Sequence, residues 1–571
     1  MKQRAKTPVF PAVIPDIEEW PIYTLSEDRR AFIQEIDAFT QDRLTRKSTQ
    51  KVTDLIAETV YQERIRIKEE RWKVDPPKER QFWSRIRRKL VKYSLDKPDA
   101  EAKQNNAEIL QTIIHRYSEE IVGTFRIRTF RFARRFLTLF FNTLLQARQR
   151  GFWRIGGQKR RLLAEKLIVE GELEKIRGLF TKGTLVVVPT HFSNLDSILI
   201  GYVLDLILGL PSFSYGAGLN LYNTGYTAYF MNRLGAYRVD RRKKNSIYLE
   251  TLKTMSNLSL QRGTNSLFFP GGTRSRSGKL EEKLKLGLLS TTVEAQRALY
   301  QQGKDQKLFI VPLVLGYHFV LEAPYLIEGY LRTLGKERFL KSRDDFYNPL
   351  QIIRFIWKVL SEGNDIALSF GQPMDVLGNP VDIDGNSYDK YGNLIDVRDY
   401  FVTDGKVTEH LQRESEYTKD LAEKIVERYH SDNIVLSSHL VAYGAFQMLR
   451  KENARLDLFG LLRLPHEDYV FKASVLKDVI EQIRQELFLL ESAGKIKLSQ
   501  VISGDIDALI KDGLAHLGTF HLKKPLKYNK TKEIISEDFT LLYYYHNRLD
   551  NYHLDEVIEL KKEAMVTLEP V

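Results

Sequence analysis

LVVVPTHFSNLDSILI, residues 185–200, is the stretch whose reading decides the fold. Its opening run, 185–188, is short, β-branched and bounded by turn-prone residues, the pattern of a buried strand. Pro189 and Thr190 end the run, and Ser193 or Asn194 is expected to cap a helix starting near Leu195. His191 and Asp196 then fall on a strand-to-helix turn, the edge at which open α/β sheets hold ligands. Across such a turn the H-x4-D spacing can return the carboxylate to one imidazole nitrogen. The other nitrogen is left to take a proton from a hydroxyl. A histidine and an aspartate five apart are common by chance, and a histidine in a turn is usually structural. The catalytic reading therefore depends on what surrounds it.

Outward from this stretch, residues 161–375 alternate helix and strand. Candidate strands at 185–188, 266–269, 309–314 and 366–370 predict an α/β domain with a mostly parallel central sheet flanked by helices. Residues 1–160 read as a helical N-terminal region, with helical spacing at 61–75 and 82–97 broken by Pro76-Pro77. Residues 376–407 are polar and turn-rich and read as a loop or linker. Within them Asp382, Asp384 and Asn386 have calcium-loop spacing, but Ser387 stands where the glycine is needed and Asn393 where the closing glutamate is needed. No metal is expected. Residues 408–571 read as a helical C-terminal region (409–429, 437–451, 473–493) closed by an aromatic-basic tail, LLYYYHNRLDNY. No internal repeat is evident.

The 571 residues suffice for two or three domains, and 43% hydrophobic with 28% charged residues is the balance of a folded chain. The net charge of +13 suits an acidic partner: anionic lipid, an acidic carrier protein, a phosphorylated substrate or nucleic acid. No recognised nucleic-acid module accompanies the charge, so no nucleic acid is expected. With no cysteine, acyl transfer through an S-acyl enzyme is excluded. MKQRAKTPVFPAVIPDIEEW lacks the apolar core of a secretory signal. No apolar run reaches the ~18 residues that cross a bilayer. The nearest, 197–210, contains Asp205 and reads as a buried helix.

The segment about 124–150 differs from its neighbours. Arg126, Arg128, Arg131, Arg134 and Arg135 are interleaved with Phe, Ile and Leu. At helical spacing Phe132, Phe136, Leu139, Phe140 and Leu144 share a face, while Arg128, Arg131 and Arg135 gather on another. Two readings stand: a helix lying in a membrane interface, or a core helix with an exposed basic side.

Three further blocks follow the H-x4-D turn. GAYRVDRRKKN (235–245) concentrates Arg238 and Arg241 with three more cations, and guanidinium groups suit phosphate. FFPGGTRSRSGK (268–279) turns through Gly271 and Gly272 into Thr273, Arg274, Ser275 and Arg276. Its backbone N–H groups, unencumbered by side chains, are expected to cradle a phosphate or face an oxyanion. FIVPLVLGYHFVLE (309–322) is an apolar strand interrupted at Pro312 and Gly316, suited to walling an apolar pocket.

In this order and spacing the four blocks resemble the four motifs of the glycerol-3-phosphate acyltransferase family, within the wider group that acylates lysophosphatidate and dihydroxyacetone phosphate. THFSNLD (190–196), GAYRVDRR (235–242), FPGGTRSRSGK (269–279) and IVPLVLGY (310–317) carry the likeness. KLGLLS (285–290) and SFGQP (369–373) lean the same way. The likeness covers 185–373 well, the tail weakly and 1–160 hardly at all.

The resemblance implies the acyltransferase fold and an O-acyltransferase. His191 would be the general base and Asp196 would fix its tautomer. Arg238, Arg241, Gly271, Gly272, Thr273, Arg274, Ser275, Arg276 and Pro312 would bind substrate. The acceptor would be glycerol 3-phosphate and the donor an acyl-CoA or acyl-ACP thioester, possibly on an acidic acyl carrier protein, with no other cofactor. The expected location is peripheral, on the anionic cytoplasmic face of a membrane such as the bacterial inner membrane. 1-Acylglycerol 3-phosphate and dihydroxyacetone phosphate remain alternative acceptors, and a catalytically silent lipid-binding scaffold an alternative role. One departure bears on the acceptor: the family's third motif carries a glutamate where this chain has Gly271.

Overall fold

In the computed structural model, which describes residues 8–72, 74–93, 99–146, 167–222, 225–335 and 366–560, the valine run lies at the heart of a seven-stranded sheet. The strands are β1 (Leu167–Gly171), β2 (Gly183–Pro189), β3 (Ser214–Gly218), β4 (Ala236–Val239), β5 (Ser266–Leu267), β6 (Lys307–Tyr317) and β7 (Ile366–Phe370). Their order is β1-β7-β6-β2-β5-β3-β4. Every neighbouring pair is parallel except β6 with β7, so the mostly parallel α/β architecture holds. Leu185, Val186, Val187 and Val188 are fully buried. A strand covered on both faces has no polar alternation to show, which is why it reads as a continuous apolar run.

Some strands differ from the sequence expectation. The strand expected at 266–269 is only Ser266–Leu267, because the chain turns at Phe269, where Gly272 N–H bonds back to the Phe269 carbonyl at 2.9 Å. β1, β3 and β4 are additional to it: β3 is SYGAG and β4 is AYRV, too short and too poor in β-branched residues to signal strands.

The N-terminal helices pack on the Ser246–Gln261 helix and bury a second core that includes Phe32, Ile56, Trp83, Ile113, Tyr117 and Tyr248. Charges are buried there as well. Arg66 bridges Glu63, Asp75 and Glu79, while Arg242 pairs with Asp75 and Asp240, and Lys243 with Glu120. Two cations of the second block, Arg242 and Lys243, are thus committed to holding the helical region against the sheet.

Residues 376–407 are not a featureless linker. Asp375-Val-Leu-Gly-Asn379, Asp382-Ile-Asp-Gly-Asn386 and Asp389-Lys-Tyr-Gly-Asn393 form one turn three times, seven residues apart, so an internal repeat is present after all. In each, the Asp Oδ1 accepts the N–H groups two and four residues on, at 2.8–3.0 Å. Gly378, Gly385 and Gly392 hold φ of +87°, +80° and +84°, the region glycine enters freely. Of the carboxylates that mimic a calcium loop, Asp382 is used on its own backbone and Asp384 pairs with Lys182.

In the C-terminal region the Ser437–Glu452 helix is buried from Ser437 to Leu449, with the Ala473–Ser492, Ile506–His516 and Phe539–His546 helices around it. The last of these brings the aromatic-basic tail back to the sheet.

Candidate active site

β2 delivers His191. Thr190 N–H donates to the Leu313 carbonyl at 2.9 Å, extending the β2–β6 ladder one residue beyond Pro189 before the chain leaves the sheet. The Asp196–Leu206 helix starts at the aspartate itself. Its N-cap is Leu195, which makes no side-chain capping bond, and Ser193 Oγ accepts Leu195 N–H at 3.3 Å just before it. Asp196 reaches back out of the helix: Oδ2 accepts Phe192 N–H at 2.7 Å and Ser193 N–H at 3.0 Å.

The same Oδ2 lies 2.8 Å from His191 Nδ1, and Oδ1 accepts the Tyr317 hydroxyl at 2.6 Å. Four donors therefore converge on a carboxylate that is wholly buried. A carboxylate ringed by donors can only accept from Nδ1, which assigns the imidazole tautomer with its lone pair on Nε2. Phe269 stacks on the ring at 4.0 Å between centroids and 23° between planes. The histidine side chain keeps 15% exposure against none for the aspartate.

The loop after β5 is tied to this turn. Ser275 N–H donates to the His191 carbonyl at 2.7 Å, and Lys285 N–H to the Pro270 carbonyl at 2.8 Å. Two of the amides expected to cradle an anion, those of Gly272 and Ser275, are thus used within the protein. Gly272 has φ +77°, and the Lys285 side chain fills the space where a Cβ would stand. Arg274 Nη1 donates to Glu322 Oε1 at 3.3 Å. That oxygen also accepts Asn194 N–H at 2.9 Å, while Oε2 accepts the Ser193 hydroxyl at 3.0 Å. Glu322 so clasps the histidine turn and the arginine loop together. Thr273 and Arg276 are exposed.

Arg238 and Arg241 lie further off. Arg238 is on β4, separated from β2 by β5 and β3, about 14 Å across the sheet at ~4.8 Å per strand. It donates to Asn232 Oδ1 and lies over the Tyr222 ring. Arg241 is exposed on the turn beyond β4. Because β2, β5, β3 and β4 are mutually parallel, all three blocks open on the same edge of the sheet. Pro312 is buried within β6 beside Val188, and its carbonyl accepts Gly371 N–H at 2.9 Å.

Four side chains at the site escaped sequence reading: Tyr317, Glu281, Glu322 and Arg548. Arg548 donates to Asn433 Oδ1 at 2.8 and 3.0 Å and to the Leu315 carbonyl at 2.6 Å, and lies 4.4 Å over the Phe192 ring. Burial pulls this guanidinium down to about 10. Asn547 donates to the Ser277 carbonyl at 2.8 Å, and Lys279 pairs with Asp550. The tail is therefore the back wall of the site. Tyr317 and Glu322 lie in FIVPLVLGYHFVLE and Arg548 in the aromatic-basic tail, none with a role legible there. Glu281 carried no signal beyond being a carboxylate.

Residues 168–316 match the family model for acyltransferases. That stretch, from β1 through most of β6, is therefore similar to acyltransferases. The chain is 29% identical over 279 residues to the glycerol-3-phosphate acyltransferase of Aeromonas hydrophila, covering 48% of this chain and 30% of that one. The Haemophilus ducreyi protein of the same name is 30% identical over 206 residues, covering 36% and 23%. The match thus spans under a third of these relatives' length. Among solved structures, the 1-acyl-sn-glycerophosphate acyltransferase of Thermotoga maritima covers 52% of this chain and 85% of its own at 15% identity and TM-score 0.23. Nothing further rests on that likeness.

Proposed function

We propose that the chain transfers a fatty acyl group from a thioester donor to the hydroxyl of glycerol 3-phosphate, giving 1-acylglycerol 3-phosphate. The observation that carries this is the His191 Nδ1–Asp196 Oδ2 contact of 2.8 Å between a wholly buried aspartate and a histidine whose side chain keeps 15% exposure. Nε2 takes the proton of the acceptor hydroxyl as its oxygen attacks the thioester carbonyl. The tetrahedral intermediate collapses, the C–S bond breaks, and the imidazolium returns the proton to the departing sulfur. A positioned base of this kind contributes ~10²–10⁴ in rate. Arg241, Arg274 and Arg276, on the same sheet edge, are the groups for the acceptor's phosphate. The net charge of +13 favours an acidic donor, whether coenzyme A or a carrier protein.

Attachment is peripheral, at the anionic cytoplasmic face of a membrane. On the Ile127–Gln146 helix, Phe132, Phe136 and Leu139 are 58%, 43% and 66% exposed, and Arg128, Arg131 and Arg135 also face solvent. Leu137 packs on the main core and Phe130 near Trp20, while the exposed Phe132, Phe136 and Leu139 face outward among the cations, the composition of an interface helix. Phe140 and Leu144 lie outside the described side chains. Among the described residues no helix is long and apolar enough to cross a membrane.

Purified chain given labelled acyl-CoA and glycerol 3-phosphate forms the product, and His191→Ala does not. Gly271 favours a second reading, a silent lipid-binding scaffold. Vesicle binding without turnover on glycerol 3-phosphate, 1-acylglycerol 3-phosphate or dihydroxyacetone phosphate selects that reading.

A further inference from the structure

Gly271 has no side chain, and the space one would fill holds Glu281. A Cβ built on Gly271 meets Cγ and Oε1 of Glu281 at 3.1 Å each. Gly271 is outside the positive-φ region, so its backbone does not demand glycine. What the missing side chain does is make room for a carboxyl that arrives from ten residues downstream.

The two oxygens of that carboxyl are used differently. Oε1 accepts His191 N–H at 3.1 Å, which ties Glu281 to the residue that takes the proton. Oε2 is sealed from solvent and has no hydrogen-bond partner among the described residues. Burial is the largest influence on the group and pushes it up to about 7, with Asp196 adding to the rise and Arg548 opposing it. Buried polar oxygens are rarely left unsatisfied. One left so beside a catalytic histidine is suited to a donor that arrives with the substrate. In glycerol 3-phosphate a second hydroxyl sits on the carbon next to the one that reacts, whereas the hydroxyl groups of an acyl-CoA donor are many bonds from its thioester carbon.

We propose that Glu281 is an acceptor-binding residue whose Oε2 receives the non-reacting hydroxyl of glycerol 3-phosphate, supplying from position 281 the carboxylate absent at Gly271. This rests on the acyltransferase reading above. It also removes the motive for the silent-scaffold reading, since the carboxylate is displaced in sequence and retained in space.

The test is steady-state acylation by the full chain, with palmitoyl-CoA as donor and glycerol 3-phosphate, 1-oleoylglycerol 3-phosphate and dihydroxyacetone phosphate as acceptors. Glu281→Ala is expected to raise the KM for glycerol 3-phosphate about ten- to a hundredfold, the effect of losing one hydrogen bond to a charged group, and to leave the KM for the other two acceptors, which have no second hydroxyl, within a few-fold. The donor KM stays within twofold, and Glu281→Gln falls between. Gly271→Glu alone sets its new side chain against Glu281 and loses activity. Gly271→Glu combined with Glu281→Ala regains at least tenfold over Glu281→Ala, because the new carboxyl enters the vacated space. An unchanged KM for glycerol 3-phosphate in Glu281→Ala and Glu281→Gln overturns the assignment. So does a loss confined to kcat and thermal stability with no recovery in the double variant, which marks Glu281 as a support for the loop alone. A wild-type chain that acylates none of the three acceptors overturns the acyltransferase reading and this inference together.

Discussion

Tyr317 donates its hydroxyl to Asp196 Oδ1 at 2.6 Å across 121 residues of sequence, from the end of β6 to the first residue of the helix after β2. The histidine's orientation thus depends on a side chain carried by the neighbouring strand β6. Tyr317→Phe leaves one oxygen of a buried carboxylate short of a donor, at about 1–3 kcal/mol. Urea unfolding is expected to show that loss. Steady-state kinetics are expected to show kcat falling about tenfold with KM nearly unchanged, since the base is loosened and not removed.

Asp196→Asn tests the tautomer. The site surrounds this side chain with four donors, and an amide offers only one oxygen to accept them. Its NH2 must face a donor, and the imidazole is drawn toward the tautomer with its proton on Nε2. A drop in kcat of ~10²–10⁴ is expected. Activity within threefold of wild type contradicts the role given to Asp196.

Glu281 makes stability depend on pH. Burial holds the folded group near 7, above the usual 4.5, so the folded chain binds this proton more tightly than the unfolded chain. The resulting stabilisation is present below pH 4.5 and is lost as pH rises through 7. Glu281→Gln removes the dependence. Between pH 5 and pH 8, wild type is expected to lose roughly 2.5 kcal/mol relative to the variant, most of the shift between folded and unfolded titration at ~1.4 kcal/mol per unit. Urea melts at the two pH values measure it, and parallel curves count against the burial.

The exposed stripe on the Ile127–Gln146 helix predicts membrane binding. Co-sedimentation with vesicles should rise with the anionic lipid fraction, at ~1 kcal/mol per cation near the surface. It should fall in the Phe132→Ser/Phe136→Ser double variant, whose substitutions are on exposed positions and leave the core intact. Equal sedimentation of both proteins removes the interface helix from the account.

What was legible in the sequence is what is local. His191 and Asp196 are five residues apart and bond through one turn, so their spacing carried the geometry. β2, β6 and β7 are apolar enough to announce themselves, whereas β3 and β4, with Gly216, Gly218 and Arg238, are not. The side chains that complete the site come from afar. Glu322 reaches Ser193 across 129 residues, and Arg548 reaches Leu315 across 233. A buried Arg and a surface Arg are the same letter, as Arg242 and Arg241 show at adjacent positions. The repeated Asp-x-x-Gly-Asn turn was readable but hidden by its resemblance to a failed calcium loop.

The central claim is that His191 Nε2 takes the acceptor's proton. The most direct measurement is kcat/KM for glycerol 3-phosphate acylation by wild type and His191→Ala, with thermal unfolding of both to confirm the fold. The expected result is a loss of at least ~10²-fold at unchanged unfolding temperature, the contribution of a positioned base. A folded His191→Ala protein that retains activity within a few-fold of wild type contradicts it.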